Sequence, residues 1–328
     1  MRRLFSIVLA VMLLLSACVT PPQPTTNETE GTTVPQIQIH PDREKCTVPT
    51  ENVEGAYYYK CIGNRKLRIE YLPPLNQVYE KAPVVLMISG GGFMVCTVDH
   101  PITWLASEVK KLRDAGFAVA SVEYRVGTEG VNVMQVYSDI ADSMRYLSYY
   151  SDVFNIDPDK FVTTGHSAGG SASLAMAYLD HSTMDTDAYW PEADFNVVGA
   201  FSMSGHGTYT KTDYGPFNGY ASSGARDNVC LYPNDEIRHQ ASPIYFLEGS
   251  KVPCKIFMGK MDNVVSPISI EKFKEACDAA GVPCELVWFE HAGHSYESMD
   301  GETVLPRFSV QKSKLVDFAK QCVEAAQS

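Results

Sequence analysis

Positive charge is scarce in this chain. It has 27 Lys and Arg against 39 Asp and Glu, a formal net charge of −12 over 328 residues. With that balance, and no basic stretch interleaved with aromatic residues, nucleic-acid binding is excluded as an expected role. A long hydrophobic run is missing too. The apolar stretch Leu4 to Leu15 is too short to cross a bilayer. No H-E-x-x-H is present, and the histidines other than His291 and His294 are scattered, so neither a metal site nor a cofactor is expected. No segment repeats, and nothing marks a second domain.

What is present begins at the N-terminus. Arg2-Arg3 followed by Leu4 to Leu15 has the charged and apolar regions of a secretory signal. It closes on Leu15-Ser16-Ala17-Cys18, which resembles the bacterial lipobox. The resemblance implies a lipoprotein signal over residues 1–17, lipidation at Cys18, and an exported, membrane-anchored protein. Val19 after the cysteine resembles the pattern sorted to the outer membrane or cell surface. Residues 18–45, rich in Pro, Thr, Gln and Asn, read as a disordered tether. Of the nine cysteines, eight remain once Cys18 is set aside, and an even set in an exported chain suggests disulfides. Cys46–Cys61 is the foremost pairing, with Cys254–Cys284 and Cys96–Cys230 as further candidates.

The catalytic signal is Gly165-His166-Ser167-Ala168-Gly169, a G-x-S-x-G pattern. It follows a β-type segment, Lys160 to Thr164, and precedes a run of small helix-forming residues, Ser171 to Leu179. Strand, sharp turn and helix form the context in which such a serine exposes its Oγ. The helix also aims its first amides at developing negative charge. Upstream, the buried-strand pattern Pro83 to Ile88 runs into Ser89-Gly90-Gly91-Gly92-Phe93. Consecutive glycines there can present backbone N–H donors with no side chain in the way. This segment resembles the His-Gly-Gly-Gly oxyanion loop of hormone-sensitive-lipase-like esterases in the α/β-hydrolase superfamily, with Ser89 in place of the histidine. The resemblance covers about Ala82 to His294 and implies oxyanion donors at Gly91, Gly92 and Ala168. Glu123-Tyr124-Arg125 is similar to a D-Y-R ending in the same relatives. Tyr124 and Arg125 are expected to brace loops there, and Asp139 to pair with such a cation.

Two later segments look alike. Cys254 to Gly259 is a short strand followed by a loop carrying Asp262, and Cys284 to Phe289 is a short strand followed by a loop carrying His294. Loops at the C-terminal ends of parallel strands share one edge of the sheet. Ser167, Asp262 and His294 are therefore expected to meet, in the order Ser…Asp…His. His294 would take the Ser167 proton and Asp262 would fix the imidazole. His291, Glu290 and Asp300 are weaker candidates.

Alternating strands and helices (His100–Ala115, Met134–Phe154, Ser167–Asp180, Ile268–Ala280, Ser309–Ala326) predict a mostly parallel sheet of about eight strands with helices on both faces. This is the α/β-hydrolase plan, in one catalytic domain over 46–328. Residues 206–251 read as a lid or specificity insertion, and Tyr209, Tyr214, Phe217, Tyr220 and Tyr232 could line it with an aromatic wall. The expected function is a serine carboxylic ester hydrolase acting on acetyl or feruloyl esters of carbohydrates, or on other short acyl esters. A serine peptidase of the prolyl-oligopeptidase type and a non-catalytic hydrolase-fold binding protein are the alternatives. The first lacks its usual propeller here, and the second typically loses a triad member.

Overall fold

The structure is a computed structural model describing residues 39–184, 189–210, 212 and 228–327. Eight strands form one sheet: β1 (Gly55–Ile62), β2 (Arg65–Leu72), β3 (Ala82–Ile88), β4 (Ala118–Val122), β5 (Ile156–His166), β6 (Val197–Met203), β7 (Cys254–Gly259) and β8 (Cys284–Phe289). Their spatial order is β1-β2-β4-β3-β5-β6-β7-β8. β1 and β2 form a hairpin and, with only Gly63 and Asn64 between them, can pair only antiparallel. β2 also meets β4 antiparallel, while β4, β3, β5, β6, β7 and β8 run parallel.

The helices are α1 (Asp99–Trp104), α2 (Ala106–Asp114), α3 (Val133–Tyr149), α4 (Ser151–Phe154), α5 (Ala168–Tyr178), α6 (Asp235–Gln240), α7 (Pro267–Ala280), α8 (Phe308–Gln311) and α9 (Lys314–Ala325). Two stretches expected as single helices are broken. The first breaks at Leu105, and the second at Tyr150, before Asn155 turns left-handed at φ 50°.

All seven residues of β3 are buried, because helices cover both faces of the central sheet. Val84, Leu86 and Ile88 pack with α3 and α5, whereas Val85 and Met87 pack with α2 and α9. Burying an aliphatic side chain of this size contributes about 1.5–3 kcal/mol, so the uninterrupted apolar run specifies a central position. α7 covers the Ile256 and Met258 face of β7, next to Leu174 of α5. Among the described residues, no helix is long and apolar enough to cross a membrane.

Residues of the predicted tether nearest the sheet are packed against the fold. His40 stacks on Tyr189 with ring centroids 4.1 Å apart, and the Arg43 guanidinium lies 4.0 Å from the centre of the Trp190 ring. Cys18 and the signal-like segment lie outside the described residues.

The eight described cysteines are free thiols. The sulfurs of Cys46 and Cys61 come to 4.0 Å, and Cys254 and Cys284 are register partners across β7 and β8. The Cys96 thiol points to the Val122 carbonyl at 3.8 Å, while Cys230 is exposed.

Candidate active site

β5 ends at His166, and α5 begins at Ala168, so a single residue makes the whole turn. That residue is Ser167, at φ 58° and ψ −122°, a backbone conformation that L-residues rarely adopt. The turn is pinned from both sides. The Ser167 N–H donates to the Met203 carbonyl at 2.8 Å, and its carbonyl accepts from the Ser171 N–H at 3.0 Å. Such a tight path needs small neighbours. A Cβ on Gly169 would stand 2.0 Å from the Ile88 carbonyl oxygen, so only glycine fits there. The pattern of glycines around the serine is thus a packing requirement of the strained turn.

The loop after β3 folds back beside the elbow. A Cβ on Gly90 would lie 3.4 Å from the Ser167 Cβ, which puts the glycine run next to the serine. Gly91 is at φ 112°, Gly92 at φ 62° and Phe93 at φ 57°. Among the described residues, no protein acceptor takes up the Gly91 or Gly92 amide hydrogens. Ala168, as the first residue of α5, presents its N–H at the helix start, where no carbonyl of the same helix is available. Ser89 is buried at 2 % exposure and braces the loop: its Oγ accepts the Thr97 N–H at 3.1 Å. The Tyr124 hydroxyl donates to the Ser89 carbonyl at 2.7 Å, which gives the Glu123-Tyr124-Arg125 segment the bracing role expected of it.

Asp262 and His294 come together from the loops after β7 and β8. The His294 Nδ1 lies 2.8 Å from Asp262 Oδ2. The other oxygen, Oδ1, accepts the N–H groups of Val264 at 2.8 Å and Val265 at 2.9 Å. The carboxylate is buried at 3 % exposure, and these three bonds leave it little rotational freedom. His294 is oriented with Nδ1–H toward the acid, which leaves Nε2 as the available base. His291 goes elsewhere: it is bonded to Asp300 at 2.7 Å, on the exposed side of the same loop.

Three positioning groups were not evident in the sequence. The His166 Nε2 lies 2.9 Å from the His294 carbonyl oxygen, and the Ser204 Oγ donates to the same oxygen at 3.0 Å. A carbonyl oxygen only accepts, so His166 carries its proton on Nε2. Burial above all, reinforced by the His294 ring, holds the His166 imidazole at about 4, neutral near pH 7. The Ser171 hydroxyl accepts the His206 N–H at 2.7 Å, tying the start of the insertion to α5. His166 was visible as the variable position of the G-x-S-x-G pattern, but nothing in the pattern assigns it a contact. Ser204 and Ser171 carry no such signal.

Only part of the expected aromatic wall is described. Tyr209 and Tyr232 are both buried, with ring centroids 5.0 Å apart, and the Tyr209 hydroxyl is 3.4 Å from that of Tyr137. These two tyrosines pack against α3. Tyr214, Phe217 and Tyr220 lie outside the described residues.

The BD-FAE family model matches residues 70–276, more than half of the chain. The chain belongs to the BD-FAE family. Solved structures similar to this BD-FAE protein include an esterase from Thermogutta terrifontis, Est2. In its native form it has a TM-score of 0.65 and 22% identity, covering 83% of this chain and 92% of that one. Butyrate-bound Est2 has a TM-score of 0.62 and 22% identity, over 83% and 94% of the two chains. At that identity the likeness establishes the α/β-hydrolase fold. A curated relative, the non-reducing polyketide synthase atr1 of Stereocaulon alpinum, is 28% identical over 129 residues, which is 37% of this chain. The chain spans about 5% of that synthase's length. Family and fold together make this a BD-FAE protein with the α/β-hydrolase fold.

Proposed function

We propose that the protein cleaves carboxylic esters through a Ser167 acyl-enzyme, with His294 as the base and Asp262 as its orienting acid. The observation that carries this reading is the 2.8 Å bond from His294 to Asp262, with the His294 carbonyl bonded to His166, the chain neighbour of a serine on a one-residue strained turn. His294 takes the Ser167 proton as Oγ attacks the ester carbonyl, then returns it to the departing alcohol. Asp262 stays ionised and stabilises the imidazolium. The oxyanion is met by the N–H groups of Gly91, Gly92 and Ala168. Water then repeats the sequence on the acyl-enzyme and releases the acid.

The substrates proposed are short acyl esters, among them acetyl or feruloyl esters of carbohydrate fragments. Support for the short acyl group comes from Est2, whose structures hold propionate and butyrate. We further propose export as a lipoprotein anchored through Cys18, and a Cys46–Cys61 bridge formed on oxidation, since those two sulfurs already stand 4.0 Å apart.

The test is turnover of p-nitrophenyl acetate, butyrate and octanoate beside acetylated xylan and methyl ferulate, with Ser167→Ala as control. Acetate turnover that vanishes in the variant supports the mechanism, and xylan or ferulate turnover supports the carbohydrate substrates. Ester turnover unchanged in Ser167→Ala overturns the reading.

A further inference from the structure

Three cysteines meet at the edge of the sheet opposite the Ser167 site. Cys254 begins β7, Cys284 begins β8 directly beside it, and Cys277 comes down from α7. Their three sulfurs all lie within 4.8 Å of one another. Cys254 and Cys277 are buried, at 2 % and 0 % exposure, and Cys284 is half-buried, open to entry from solvent. The surroundings are apolar, formed by Leu174, Ile256, Phe273 and Val282. The Tyr178 hydroxyl donates to the Val252 carbonyl at 3.0 Å and also meets the Cys254 thiol. The three sulfurs are the metal-ligating groups gathered there.

We propose that Cys254, Cys277 and Cys284 bind one soft, thiophilic cation of the Cu(I) class in a three-sulfur site. A metal at the centre of three thiolates, with metal–sulfur bonds of about 2.3 Å, spaces the sulfurs about 4 Å apart. The observed triangle accommodates that with little movement. All-sulfur donors select soft ions, and a buried apolar site suits an ion that closes its shell with three sulfurs. Without the cation the thiols are protonated. The Cys254 thiol is pushed up to about 12, chiefly by its hydrogen bond with Cys277 and then by burial. Coordination releases one proton to solvent for each sulfur that binds as thiolate.

The test is an anaerobic titration of the reduced, purified protein with Cu(I) against a chromogenic Cu(I) chelator, together with the near-ultraviolet sulfur-to-copper band. Wild type is expected to hold one equivalent of Cu(I). Cys277→Ser and Cys284→Ser should each weaken binding by about 100-fold or more, while Cys46→Ser leaves it unchanged. Cys284 is the least buried of the three, so its variant guards against a folding defect, with thermal melting and ester turnover reporting the fold. Failure of folded wild type to hold Cu(I), or retention equal in both cluster variants, overturns the proposal. So does peptide mapping that finds a native disulfide between any two of the three.

Discussion

Two buried aspartates in this molecule are solvated in opposite ways. Asp262, in the loop after β7, is bonded to a neutral-capable imidazole and two backbone N–H groups. Asp139, on α3, is held by full charges: Arg125 through Nε and Nη2, each at 2.8 Å, and the Lys60 ammonium at 2.9 Å. Burial opposes ionisation of Asp139, but Lys60 and Arg125 hold its carboxyl below the usual carboxylate range. One turn on, burial pushes Asp142 upward even though it shares Lys60 at 2.7 Å and lies 3.3 Å from Arg145. The ion cluster is a permanent brace joining β1 to α3. The Asp262 site has the opposite design: its partners are an imidazole and two backbone N–H groups. On the proposed mechanism, the buried acid that serves catalysis is held by two backbone N–H groups and an imidazole, whereas the acid that braces the fold is held by two cations and the Arg125 N–H.

That contrast can be broken by substitution, and the largest effect belongs to the nucleophile. Ser167→Ala should lower kcat for p-nitrophenyl acetate by about 10⁴-fold or more while leaving the melting temperature close to wild type. Asp262→Asn should cost about 10⁴-fold in kcat, because the imidazole loses its correct tautomer, with modest change in stability. Asp139→Asn should do the reverse. Leaving Lys60 and Arg125 without their shared carboxylate should destabilise the fold by about 3–5 kcal/mol in denaturant unfolding, with catalysis per folded molecule largely kept. If Asp262→Asn proved the destabilising change and Asp139→Asn the inactivating one, the division between the two regions would be wrong.

A smaller effect sharpens the comparison within the site. Folding holds the His166 imidazole at about 4 against an ordinary value of 6.5, so the unfolded chain takes up a proton first as pH falls. Stability tied to His166 is complete above pH 6.5 and is lost on acidification from 6.5 to 4, in total about 3 kcal/mol. Thermal melting of wild type and His166→Gln across that window should show a shallower slope in the variant. Smallest is Ser204→Ala, which removes one of two donors on the His294 carbonyl. It should cost about 1 kcal/mol, or several-fold, in kcat with KM little moved. A change in KM alone would argue that Ser204 shapes the pocket rather than the histidine.

Much of this was legible in the chain. Apolar runs such as Pro83 to Ile88 marked the central strands, because only a strand covered on both faces can be uniformly apolar. Glycine spacing marked the elbow, because the turn at Ser167 leaves no room for a side chain at Gly169. Helix interruptions at Leu105 and Tyr150 were not legible, since no proline or glycine announces them: the two residues leave helical geometry at φ −106°, ψ 28° and φ −102°, ψ 23°. The seating of residues 39–45 was missed for a similar reason. A polar, proline-bearing stretch looks unstructured until an aromatic surface formed by Tyr149, Tyr189 and Trp190 is there to receive it.

The sequence alone determined the fold class and the strand–turn–helix elbow at Ser167, and it singled out Asp262 and His294 as the candidate acid and base. Those follow from local rules: period, turn chemistry and the order of strands along the chain. Only the tertiary structure decided which side chains bond to the His294 backbone and ring, and that Cys277 joins Cys254 and Cys284. His166, Ser204 and His294 lie far apart in the chain, and their contact depends on how three loops meet at one edge of the sheet. No local pattern encodes such a meeting, because it is fixed by the packing of whole elements against one another.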